Sequence, residues 1–202
     1  MDLSSQNDAA RLLDMDIKLD RSIADLRSWH PDECGLAMAL DVIGPRSSML
    51  ILREALLYGT RRFELFVERV GVTEAVASTR LKQLTEAGLL ARRPYKEPGS
   101  RTRYEYVPTD KGRDLTPVVL ALMQWGSKHL QPEGAPLAVV DDTSEQPVRV
   151  GFVAQDGTER TRHDLRIRPT EHARRAARAA RAARATRASA DGTTEVADGG
   201  EG

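Results

Sequence analysis

Apolar residues recur at helical spacing through most of the chain, then alternate, then disappear. The clearest stretch is Phe63–Arg93. Phe63, Leu65, Phe66, Val67 and Val70 give a short helix its apolar side, and Gly71 ends it where a left-handed residue is needed. Thr73 is a good N-cap for a second helix, and Glu74 places negative charge at the positive end of its dipole. Ala77, Leu81 and Leu84 form the inward stripe of that helix, and Gly88 stops it. Leu89–Tyr95 then reads as a strand, Lys96–Arg101 as a turn containing Pro98 and Gly99, and Arg103–Val107 as an alternating, Tyr-rich strand.

The flanks are also helical in pattern. Leu12, Met15, Leu19, Ile23 and Leu26 predict an amphipathic N-terminal helix within residues 1–30. Pro31–Cys34 opens a helix to about Val42, and Gly44-Pro45-Arg46 breaks the chain. From Ser47 a dense apolar helix runs to just before Gly59, as central core. Thr109–Gly112 caps a long helix to about Leu130, with a kink expected at Pro117. Its stripe of Leu115, Val118, Val119, Leu122 and Trp125 is wider than one small domain needs. These five are candidate dimer-interface residues, unless the helix packs only on residues 1–30. Beyond a Pro/Gly linker at 132–136, Leu137–Val140, Val148–Val153 and Leu165–Arg168 read as short strands, with Asp156-Gly157 as a hairpin turn.

The expected fold is therefore mainly α with a small β-wing (α+β). It is a winged helix-turn-helix over 31–131, with an N-terminal helical arm at 1–30. A small β-rich extension follows at 132–169, then an Ala/Arg-rich disordered tail at 170–202. A helix-turn-helix followed directly by a hairpin with a cationic tip is the pattern of a DNA-binding unit. Ala75, Ser78, Thr79, Lys82 and Glu86 lie opposite the Ala77–Leu81–Leu84 stripe at about 100° per residue. Small and polar residues there suit close approach to base edges in a major groove. The candidate DNA contacts are Thr73, Ala75, Ser78, Thr79, Arg80 and Lys82 on the second helix. Arg61 and Arg62 stand ahead of the motif, and Lys96, Arg101 and Arg103 lie on the wing. The alternatives are a solvated helix face and a plain edge hairpin.

Composition narrows the reading. Lysine plus arginine equals aspartate plus glutamate over 202 residues, but the charges are segregated. Residues 171–187 hold six arginines and one acid, and four acids follow with no cation. Such a tail adds salt-sensitive affinity for nucleic acid, or has no role. No apolar run is long enough for a membrane span and no secretory pattern opens the chain, so a cytoplasmic protein is expected. One cysteine, Cys34, excludes an intrachain disulfide and a cysteine zinc site. Four scattered histidines lack ligand spacing, no acid/base pair or phosphate loop is present, and neither a cofactor nor an enzyme is expected. Cys34 at a helix start could be an activated thiol or a small buried hydrophobe, with Asp32 and Glu33 opposing activation.

Several landmarks occur in one order: Cys34, ALDVIGPR (39–46), LILRE (50–54), RRF (61–63), STRLKQLTEAGLL (78–90), Tyr104-Glu105-Tyr106, Thr109–Gly112 and Gln124-Trp125-Gly126. Over about residues 34–130 this resembles the HxlR family of bacterial transcriptional regulators. The resemblance implies a homodimeric winged helix on an inverted-repeat operator in double-stranded DNA; a repressor is expected. It also implies that a cysteine matching Cys34 can sense electrophiles or oxidants, so a small-molecule or oxidant effector is compatible. One residue departs: relatives usually carry Trp after the arginine matching Arg46, where this chain has Ser47. The rival is a winged helix used only for protein contact.

Overall fold

The computed structural model describes residues 17–20, 34–96, 99 and 102–191. It divides into two units, Trp29–Val150 and Met1–Ser28 with Gly151–Gly202.

In the first unit, α1 (Gly35–Ile43) and α2 (Arg46–Leu57) meet at an 82° bend around Gly44-Pro45. Pro45 caps α2 in an extended conformation, since its fixed φ and missing amide suit a helix start. The helix-turn-helix follows as α3 (Phe63–Val70) and α4 (Glu74–Glu86). Gly71 is left-handed at φ 68°, and the amides of Gly71 and Val72 both close onto the Val67 carbonyl. A side chain at that φ would be strained, so the glycine sets the tight turn. Thr73 caps α4 as expected, its Oγ1 accepting the Val76 amide at 3.3 Å.

The wing is the antiparallel pair β2 (Leu90–Tyr95) and β3 (Arg103–Pro108), in register from Leu90 opposite Pro108 to Tyr95 opposite Arg103. Arg62 adds an antiparallel bridge to Glu105, and the Tyr106 amide donates to the Arg61 carbonyl at 2.8 Å. The core is built from Ile51, Leu52, Phe66, Leu81, Leu84 and Leu90, all essentially without solvent contact. Each such side chain contributes about 1.5–3 kcal/mol relative to exposure.

The expected long helix after the wing is two helices, α5 (Asp110–Arg113) and α6 (Thr116–Leu130). Pro117 does not kink a continuous helix. It sits in the first turn of a new one, where its missing amide costs no hydrogen bond. Gly112 lets α5 press on the wing: a Cβ there would come 2.1 Å from the Leu89 carbonyl oxygen. After α6, Val140 bridges Pro147, and the Gln124 side chain bonds the backbone of Val148 and Val150.

The second unit contains β1 (Lys18–Leu19), paired in parallel with β6 (Arg166–Ile167), and the hairpin β4 (Phe152–Val153) with β5 (Glu159–Arg160). The hairpin turns at Asp156-Gly157, as the dipeptide suggested, with Gly157 at φ 81°. A 3₁₀ turn at Arg162–Asp164 precedes β6. Two expectations are corrected here. At Lys18–Leu19 the chain is extended rather than helical, because its backbone pairs with residues 165–167; the rest of the predicted 1–30 helix lies outside the described residues. The Ala/Arg segment expected to be disordered is a helix, α7 (Glu171–Asp191), started by Thr170, whose Oγ1 accepts the Ala173 amide at 3.2 Å. Alanine and arginine are among the strongest helix formers, and that propensity favours helix without a core.

Candidate nucleic-acid interface

The two faces of α4 differ sharply. Ala77, Leu81 and Leu84 are fully buried. Thr73, Ala75, Ser78, Thr79 and Lys82 are all exposed. Ala75 and Ser78 keep the outer surface low, which allows the helix backbone close to base edges. The Thr79 hydroxyl donates to the Ala75 carbonyl at 2.8 Å, leaving its methyl as the outward group. Lys82 pairs with Glu86 at 3.8 Å, but both are exposed, so that pair is weak and the ammonium can exchange it for a phosphate.

Arg80 is placed differently from a free phosphate contact. It is half-buried, its Nε donates to Ser47 Oγ at 3.3 Å and its Nη1 donates to Gln83 Oε1 at 2.6 Å. It anchors α4 to the first turn of α2, and Ser47, the residue that departs from the family pattern, provides the acceptor.

The residues ahead of the motif are held by a buried acid that the sequence reading passed over. Glu54 on α2 is 2% exposed. Its Oε2 accepts the Thr60 hydroxyl at 2.9 Å and its Oε1 accepts Arg53 Nη2 at 2.7 Å. Arg69 Nη1 on α3 donates to Thr60 Oγ1 at 2.9 Å. This network ties α2 and α3 to the loop that carries Arg61 and Arg62, both exposed. An acid in the apolar run LILREALL was the available signal, since buried carboxylates need partners.

On the wing, Lys96 is exposed, and Arg103 is exposed and lies 4.0 Å from Glu64 of α3. Arg101 lies outside the described residues. Arg62 stacks over Tyr95 at 5.2 Å, and Arg92 lies 3.6 Å from the centre of the Tyr104 ring. Such stacking orients a guanidinium while leaving its donors outward. Arg92, Arg93, Val76 and Gln83 are exposed on the same elements and were missing from the sequence-derived set. The helical wheel could have found Val76 and Gln83; strand alternation puts Arg92 and Arg93 on opposite faces and so could have found only one of them.

The dimer candidates on α6 separate into two groups. Val119 is buried and Leu115 packs against the chain's own core. Val118, Leu122 and Trp125 are exposed, Trp125 at 57%. At about 100° per residue all five fall within an arc of roughly 120°, with Val119 at its core-facing edge and Val118 and Trp125 at the opposite edge. Leu36 and Leu40 on one side of α1 and Met38 on the other are also exposed, apolar surface not foreseen in the sequence. Cys34 precedes α1 and is exposed. An open cavity of about 360 Å³ lies between α2 and α6, lined by Arg53, Tyr58, Leu122, Met123, Leu130 and Leu137 among others. Among the described residues no group of His, Cys, Asp and Glu could hold a metal ion, and no single helix is long and apolar enough to cross a membrane.

Comparison with known proteins agrees with this geometry. The family model for the HxlR-like helix-turn-helix matches residues 42–134, which run from the end of α1 past α6. The Mycobacterium bovis protein Mb3122, named an HTH-type transcriptional regulator, is 43% identical over 117 residues, covering 57% of this chain and 72% of that protein. The chain belongs to the HxlR-like helix-turn-helix family. Among solved structures the chain is similar to PA1607, named a transcription factor, with a TM-score of 0.60 and 36% identity over 68% of this chain and 96% of that one. The Pseudomonas aeruginosa transcription factor PA1374 has a TM-score of 0.51 and 35% identity over 70% of this chain and 99% of that one. HxlR-like proteins are transcriptional regulators, not enzymes, and the winged-helix fold is shared across these relatives.

Proposed function

We propose that this chain is a cytoplasmic, homodimeric regulator that reads an inverted-repeat operator in double-stranded DNA through α4. The observation that carries this reading is the two-sided character of α4: its apolar side is consumed by the core, and its small, polar side with Lys82 is exposed. Ala75, Ser78, Thr79, Val76 and Gln83 face base edges, while Thr73, Lys82, Arg61, Arg62, Lys96, Arg101 and Arg103 hold the phosphates. The exposed apolar faces of α1 and α6 are covered by a second copy, which sets the two reading helices about one DNA turn, ~34 Å, apart. Repression follows where such a site overlaps a promoter. Gel shifts with the DNA upstream of the protein's own gene, at two salt concentrations, test this. A sequence-selective complex is expected, weakened by Lys82→Ala without loss of folding. Equal weak binding to unrelated DNA would favour the rival protein-contact module.

An oxidant or electrophile response through Cys34 is the second part of the proposal, supported by the exposed thiol at the start of α1. Operator binding that changes with diamide in the wild type should be insensitive to it in Cys34→Ser, and a mutant that still responds removes Cys34 from the mechanism.

A further inference from the structure

Helix α7 is not explained by packing. Each of its described side chains is exposed, so among them burial contributes nothing to the helix. Alanine and arginine propensity and the Thr170 cap account for its order. What the helix backbone does is space its arginine positions regularly. Arg174, Arg175 and Arg178 are exposed, and Arg181, Arg184 and Arg187 continue a three-residue step along the same backbone. The acid at its start, Glu171, pairs with Arg175 at 3.7 Å and leaves the array strongly cationic.

A three-residue step falls short of a full turn by roughly 60°. The arginines therefore wind around the helix instead of forming one line, with alanine methyls between them. That geometry selects among partners. A membrane surface needs one apolar side with bulky residues, and α7 offers nothing larger than a methyl. A protein groove needs apolar anchors at one-turn spacing, which are also missing. A DNA major groove fits: it is walled on both sides by phosphates, it is about 12 Å wide, and its floor admits a helix with small side chains. The 21 residues of α7 span roughly 30 Å, close to one duplex turn.

We infer that α7 is a second DNA-binding element, independent of sequence, which lies in the major groove and places its arginines on phosphates of both strands. The choice of DNA over other polyanions rests on the DNA-binding reading of the winged helix. The six arginines act by releasing counterions, so their contribution appears in the salt dependence of affinity.

The test uses the full chain and a duplex of unrelated sequence, with affinity measured by fluorescence anisotropy over a range of salt. A variant with Arg174, Arg175, Arg178, Arg181, Arg184 and Arg187 all changed to glutamine keeps good helix formers, and circular dichroism checks that α7 persists. Each lost phosphate contact should reduce the slope of log K against log salt by about 0.9, so a slope shallower by about three to five units is expected. The corresponding six-lysine variant should keep the wild-type slope. An unchanged slope in the glutamine variant, or a slope equally lost in the lysine variant, would overturn the inference. Operator footprinting of Lys82→Ala separates this from the winged-helix reading. A lost footprint beside an unchanged tail slope sinks only the role of α7, and an intact footprint beside a reduced slope sinks only the reading of α4.

Discussion

In the unit Trp29–Val150, Phe66, Leu81 and Leu90 are enclosed by side chains from α2, α3, α4 and the wing. In residues 151–191 no described side chain is buried, and apart from the pairing of β6 with Lys18–Leu19 the order comes from bonds closed within a few residues. Asp156 accepts the Thr158 amide at 3.0 Å, Asp164 accepts both the amide and the hydroxyl of Thr161, and Thr170 starts α7. The first kind of order depends on distant parts of the chain meeting. The second can form wherever the local sequence allows it. A reading surface for base pairs needs the first kind, because side-chain positions must hold to fractions of an ångström. An array of charges for phosphates needs only the second.

This contrast can be broken most easily at Leu81. Leu81→Ala should cost about 2–5 kcal/mol, with amide exchange accelerating through α2–α4, whereas residues of α7 should exchange quickly in wild type and mutant alike. Protection in α7 that rivals the core would dissolve the distinction. Next in size, Gly112→Ala should destabilise the first unit by about 1–3 kcal/mol through overpacking against β2, seen as a lower urea midpoint. Thr170→Ala should cost about 1 kcal/mol of helix stability; loss of far-UV ellipticity without a shift in the core transition is the expected signature.

The smallest effect is a pH dependence. In Asp164 the Thr161 amide and hydroxyl hold the carboxyl below its ordinary value, and in Asp156 the Thr158 hydroxyl and amide do the same. A folded-state pKa that is lowered contributes order above the unfolded value, and that contribution is lost as pH falls through the folded value. These turns should loosen below about pH 4, with chemical-shift changes at Thr158 and Thr161, while core resonances stay in place.

The sequence was most legible where local rules and packing agree. Gly71, Thr73 and the Ala77–Leu81–Leu84 stripe each specify the same helix-turn-helix, and the structure has it there. It was less legible where several arrangements satisfy the same rule. Pro117 is compatible with a kinked helix or with a helix start, and only the close approach of Gly112 to Leu89 favours a break before it. Val118 and Val119 are chemically alike, so their opposite burial depends on where α6 lies on the core. A two-residue strand such as Lys18–Leu19 carries no period to detect, and its partner is remote in sequence. The alanine/arginine segment has no apolar face, the usual sign of a packed helix, and its helix rests on propensity alone. At the candidate interface, the exposed positions on α4 followed from the helical wheel. The inward commitment of Arg80 did not, because it depends on a neighbour more than thirty positions away.

The reach of Arg80 back to Ser47 keys the roll of α4 to the entry of α2. The Ser47 hydroxyl is the acceptor; a residue without one at position 47 would release the guanidinium. In the proposed DNA-reading role of α4, part of the operator preference is then set at a position that never meets a base pair.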